Sequence, residues 1–278
     1  MSYLEFTVLL YLIISYMSQI DVLVPLAEIE MNRAELLSIQ RNDLLPLLED
    51  QYRLNHYAEH VVQAQSVLLN GIDPHLTQQL SATIEQLIHA LADSKKYLKK
   101  RQFNALQKWL GIDLEYGSGQ VGYYKNLDQL LNRANHLSQK LQVEIQKSQA
   151  RFQQLMGQRE QMAKYIQAAQ EFLQEYPKFI QNQHPLDNFS ERLSKKINTL
   201  HTLQTSNDIA ITQMQLSQQL SFTLLDRFKE AQQVLIPAWK YHIQQSNQNH
   251  SGHEMEKLDS SREQLIKTLK QSLQKSTH

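Results

Sequence analysis

The stretch Leu127-Asp128-Gln129-Leu130-Leu131-Asn132-Arg133-Ala134-Asn135-His136-Leu137-Ser138-Gln139-Lys140-Leu141-Gln142-Val143-Glu144-Ile145 decides the fold. Leu127, Leu131, Ala134, Leu141 and Ile145 fall at alternating steps of four and three, with Ser138 as a polar beat. The same rhythm continues through Phe152, Leu155, Met162, Ile166, Ala169 and Leu173, with Ser148 and Arg159 as further polar beats. Such spacing puts one apolar seam along a helix. Residues 121–176 hold no proline, so the pattern predicts one helix of roughly 80 Å at 1.5 Å per residue. Gly157 is its weak point. The other faces are rich in Gln rather than in paired charges, so charge specifies the pairing of this seam weakly.

Pro177 and Pro185 bracket a break, after which Asp187 or Asn188 can cap a second helix from Phe189. Its apolar residues are Leu193, Ile197, Leu200, Leu203, Met214, Leu224, Phe228 and Leu235, and Pro237 interrupts it. A proline inside a helix removes a hydrogen bond and costs about 3 kcal/mol. Two long helices with a short connection predict an antiparallel hairpin. Each side chain buried in its seam gains about 1.5–3 kcal/mol.

Upstream, residues 27–110 read as a smaller helical region. Leu36, Leu37, Leu44, Leu45, Leu47, Leu48 and Leu54 supply an apolar side, and Pro46 kinks or splits the stretch. Gly71 ends it. Asp73-Pro74 then reads as a cap followed by proline at the first helical position, opening a helix through Leu80, Ile84, Leu87, Ile88 and Leu91. Residues 111–122 hold four of the chain's seven glycines and read as a loop between two halves. Residues 123–248 form the hairpin, and 249–278 an amphipathic tail with Met255, Leu258, Leu265, Ile266, Leu269 and Leu273 on its apolar face. The fold class is therefore all-α: a long antiparallel, coiled-coil-like hairpin with a smaller N-terminal helical region.

Composition supports this and narrows the function. Seven glycines and six prolines in 278 residues leave little turn chemistry for a strand-rich fold. There is no cysteine, which excludes disulfides, thiolate metal sites and cysteine nucleophiles. Lys and Arg number 28, as do Asp and Glu, so no net charge draws the chain to nucleic acid. Residues 1–26 carry an apolar run, Phe6 to Met17, shorter than the roughly 20 residues that span a bilayer. They read either as an anchor or as a start assigned upstream of Met17.

Three motifs carry chemical interest. His56-Tyr57-Ala58-Glu59-His60 matches the His-x-x-Glu-His pattern of one class of zinc peptidases. On a single helix the two histidines would share a face and Glu59 would act as base. The pattern lacks a third ligand, so zinc catalysis is a remote alternative; no catalytic residue, metal or cofactor is assigned. Lys95, Lys96, Lys99, Lys100 and Arg101, followed by Trp109, form a patch suited to a membrane surface or to the outer face of a soluble helix. The glycine-rich run from Gly117 to Gly122 lacks the lysine and hydroxyl of a phosphate-binding loop.

The segment Ile236-Pro237-Ala238-Trp239-Lys240 resembles the Ile-Pro-Leu-Trp-Lys signature of the toxic anion resistance family, the TelA/KlaA proteins. Tyr165-Ile166-Gln167-Ala168-Ala169-Gln170-Glu171 is similar to that family's Tyr-Ile-x-Ala-Gly-Glu segment, with Ala169 in place of glycine. Arg192, followed by Leu200 and Gln204, resembles its Arg-x-x-x-Leu…Gln stretch. Residues 213–218 match a Gln-rich turn before the signature, and Phe103 to Gly111 a Trp/Phe-Gly segment. The family's Asp-Asn segment is replaced by Ser148-Gln149-Ala150-Arg151, and the chain stops sooner after the signature than family members do. A short or divergent member is expected. The resemblance implies a non-enzymatic helical protein linked to tellurite and envelope stress. It would be cytoplasmic or peripheral to the inner membrane, and would act through protein partners and self-association of coiled coils. Arg192, Pro237, Trp239 and Lys240 are the signature residues to place. The alternative is an envelope-associated coiled-coil scaffold.

Overall fold

The computed structural model describes residues 23–48, 50–94, 112–175, 189–241 and 252–274. Among the described residues there is no strand. The α-helices are α1 (Arg33–Ile39), α2 (Glu59–Leu68), α3 (Pro74–Ala92), α4 (Ile112–Glu175), α5 (Phe189–Glu230) and α6 (Gly252–Gln274). Contacts group the chain by packing rather than by sequence order. One compact unit joins Met1–Gly71 with Lys147–Ser217, and a second joins Ile72–Gln146 with Gln218–His278.

In the first unit, residues of α4 and α5 pair antiparallel. Arg159 meets Asp208, Gln170 meets His201 at 3.1 Å, and the Phe172 and Phe189 rings meet edge to face, centroids 6.4 Å apart. The seam behaves as its rhythm predicts: Leu155, Met162, Ile166 and Ala169 are buried. The polar beats Ser148 and Arg159 are buried with them. The N-terminal helices cover this pair with Leu36, Leu44, Leu47, Leu54, Tyr57 and Val61. Ala168 and Ala169, fully buried, keep the α4 surface low, and the Gln40 amide reaches the Ala168 carbonyl at 3.3 Å.

In the second unit, Asp73 caps α3 by accepting from the His75 backbone N–H at 2.9 Å, and Pro74 follows at the first position, as expected. Leu80, Ile84, Leu87, Ile88 and Leu91 pack with Leu127, Ala134, Leu141 and Ile145 of α4 and Leu224 and Phe228 of α5. Here too the pairing is antiparallel: Lys229 donates to Gln142 at 2.7 Å and Lys240 pairs with Asp128 at 2.9 Å. The amphipathic tail docks as α6, burying Leu258, Leu265 and Leu269 in the same core.

Two prolines are absorbed in the same way. A π-helical turn, Gln40–Leu44, ends two residues before Pro46, and another, Ala231–Leu235, ends two residues before Pro237. In each, an amide bonds five residues back: Leu45 to the Gln40 carbonyl and Ile236 to the Ala231 carbonyl. The wider turn shifts the hydrogen-bond register where the proline lacks its N–H and crowds the preceding turn. Pro46 then leads into a 3-10 turn, Leu45–Leu48, whereas the chain after Pro237 stays helical to residue 241.

Two expectations are corrected. The glycine-rich stretch is not a loop, because α4 begins at Ile112 and runs through it. Each helical glycine costs about 1 kcal/mol, and burial of Tyr123 and Leu127 just downstream offsets that cost. Leu37 and Leu45 do not join the apolar side; each follows a buried leucine, Leu36 and Leu44, and so points off the buried face. The N-terminal leader up to residue 22 lies outside the described residues. Among those described, no helix is long and apolar enough to cross a membrane.

Candidate functional site

The first unit carries a cleft of about 410 Å³, lined by Asn42, Asp43, Pro46, Leu47, Arg53, His56, Tyr57, Ala58, His60 and Tyr165. Three local breaks in helical regularity build it. The π turn before Pro46 presents Asn42 and Asp43. A 3-10 turn, Gln51–His56, capped by the Asp50 carboxylate on the Tyr52 amide at 3.2 Å, presents Arg53 and His56. Ala58 then reverses the chain into α2 with φ 61°, the left-handed region. That conformation costs an alanine about 1–2 kcal/mol, and Ala58 is the sole non-glycine with positive φ among the described residues. Burial of Ala58, and its carbonyl's bonds from the Val61 and Val62 amides at 3.1 and 3.2 Å, hold it there.

Two tyrosines tie the cleft to α4. The Tyr57 hydroxyl donates to the Tyr165 carbonyl at 2.7 Å, and the Tyr165 hydroxyl donates to Asp43 at 3.3 Å. Their rings lie 5.4 Å apart, and the His60 ring stands edge-on to Tyr165 at 5.1 Å. Burial, reinforced by Asp43, pushes the Tyr165 phenol up to about 12. Tyr57 is raised as well, mainly by burial. At the rim, His56 Nδ1 pairs with the Glu59 carboxylate, whose hydrogen bond to His56 holds it below its ordinary value. Arg53 pairs with Asp50 at 3.1 Å.

A second polar group lies deeper in the same unit. Arg159 donates to both Asp208 oxygens at 2.8 and 2.9 Å and to the Val24 carbonyl at 2.8 Å. Gln204 donates to Asp208 at 2.6 Å and accepts from Gln65 at 2.9 Å. Gln65 also donates to the Gln158 carbonyl at 3.1 Å and accepts from Asn207. Gln65 and Gln204 are fully buried, so this network ties α2, α4 and α5 in one register.

The residues singled out by sequence do not converge on one site. His56 and His60 both line the cleft, but on different elements, because the Ala58 reversal separates them; the single-helix premise of the zinc motif is therefore corrected. Among the described residues no group of three or more His, Asp or Glu is placed to hold a metal ion. Arg192 is half-buried in the first turn of α5, in the first unit. The signature lies in the second unit. Trp239 is 1% exposed, Pro237 is exposed, and Lys240 pairs with Asp128. Trp239 fills the core beside Leu87, Leu91, Leu127, Leu131, Ile236 and Leu269, around an apolar cavity of about 10 Å³. Lys95, Lys96, Lys99, Lys100, Arg101 and Trp109 lie outside the described residues. Asp43 and Tyr57 were not legible as site residues, since no spacing links them. Tyr165 and Gln204 lie in the family-like segments but were not singled out as site residues either.

These features define an all-α protein with two helical units, a polar cleft in one and the signature packed into the core of the other. The chain is 28% identical over 211 residues to Protein KlaA of Escherichia coli, covering 73% of this chain and 81% of KlaA. That similarity agrees with the resemblance to the TelA/KlaA proteins read from the residues. No family model and no solved structure matches it.

Proposed function

We propose that this chain serves resistance to tellurite and other toxic anions as a non-enzymatic helical interaction protein, acting through protein partners in the cytoplasm. The observation that carries the reading is the similarity to KlaA over 211 residues. The packing is in keeping with it. The signature residues Trp239 and Ile236 are spent on a core, and Lys240 on an ion pair with Asp128, which suits a scaffold better than a reaction centre. The first unit offers a polar cleft to the outside instead.

The test is tellurite survival of a strain lacking the gene, complemented by the intact chain, together with capture of partners from that strain's own lysate. The reading expects lower survival in the deletion and rescue on complementation. It also expects a partner set that is retained by the intact chain and reduced when the cleft residue Asp43 is changed to Asn. Equal survival of deletion and parent strains under tellurite would end the resistance reading.

A further inference from the structure

We infer that the cleft receives a cationic head on an aliphatic stem, the side chain of a lysine or arginine presented by a partner protein. In naming a protein as the bearer, the inference rests on the reading above; the cation chemistry does not. The balance of charge decides the sign of the ligand. Of the three basic side chains that line the cleft, Arg53 pairs with Asp50 at 3.1 Å and His56 with Glu59, while the His60 ring stands edge-on to Tyr165. Asp43 is different. Among the described residues no lysine or arginine pairs with it, and its contact is the Tyr165 hydroxyl at 3.3 Å. An oxyanion entering here would meet that carboxylate, whereas an ammonium or guanidinium would neutralise it through a charge-assisted hydrogen bond.

The walls suit the rest of such a side chain. Pro46 and Leu47 offer an apolar surface to a methylene stem, whose charged head stays near water. Tyr57 and Tyr165 form an aromatic wall beside Asp43, and aromatic faces attract cations. The volume of about 410 Å³ lies within the size range of small-ligand sites. Tyr165 is fixed from both ends: its hydroxyl holds Asp43, and its carbonyl accepts from Tyr57. The carboxylate is therefore held in place before the ligand arrives, which lowers the ordering cost of binding.

The experiment is calorimetric titration of the full chain with Nα-acetyl-lysine N-methylamide, with putrescine and with inorganic phosphate. Saturable binding of the lysine derivative is expected, weakened about tenfold by Asp43→Asn and unchanged by Glu160→Gln, an exposed carboxylate outside the cleft lining. Nuclear magnetic resonance of the unaltered chain should show the His56 and His60 rings shifting on addition of the lysine derivative, a readout that needs no variant. No saturable binding, binding indifferent to Asp43→Asn, or phosphate displacing the lysine derivative would overturn the cation site. Putrescine binding tenfold more tightly than the lysine derivative would overturn the partner side chain in favour of a free amine. None of these readouts depends on tellurite survival, so the two readings can fail separately.

Discussion

Arg159 stands on a beat of the seam where an apolar residue is expected, and its side chain is 3% exposed. A buried guanidinium is tolerated only when its donors are met. Here Asp208 takes two of them and the Val24 carbonyl a third. Asp208→Ala should therefore destabilise the chain by about 3 kcal/mol, because it strands a buried charge. Replacing both partners with apolar residues of similar size should cost far less. Urea denaturation of the single and double variants checks this; a single variant within 0.5 kcal/mol of the parent, roughly the scatter of surface changes, would show that the pair is solvated. Tyr165 gives a second test at this scale. Its phenol is raised from 10.0 to about 12 by burial and Asp43, so the folded state disfavours the charged form. The stability it contributes is complete below pH 10 and is lost as pH rises toward about 12. The melting temperature should fall across that window, and Tyr165→Phe should flatten the fall.

At the scale of elements, the prolines show how a helix absorbs an interruption. Pro237 is exposed, and a π turn precedes it. Pro237→Ala should raise stability by less than the roughly 3 kcal/mol that proline costs in a regular helix, since the π turn already relieves part of that cost. Slower amide exchange over residues 231–236 would confirm it, and a lower melting temperature would contradict it. Leu155 tests the seam itself: it is fully buried with Ile211 and Met214, and Leu155→Asp should cost several kcal/mol, read by thermal melting. The helices were legible because one rhythm of threes and fours runs from Leu127 to Leu173, and even its polar beats Ser138, Ser148 and Arg159 are buried. The start of α4 was not. Glycine signals a loop by weak local propensity, which packing of Tyr123 and Leu127 overrides.

For the whole molecule, the same division explains what sequence could and could not reveal. The cleft joins positions 108 and 122 residues apart, through Tyr57 with Tyr165 and Asp43 with Tyr165. No periodicity encodes such a meeting; it follows from the N-terminal helices folding back onto α4. The signature was visible as a motif but its role was not, since only packing shows Trp239 inside a core. The central structural claim is that α4 and α5 pair antiparallel within each unit. The chain has no cysteine, so engineered pairs are unambiguous. Packed helix axes lie about 8–10 Å apart, within reach of a short bismaleimide. Gln170→Cys with His201→Cys, and Gln142→Cys with Lys229→Cys, should each cross-link within one chain at high dilution. Products linking two chains alone, with neither pair joined within one chain, would contradict the pairing.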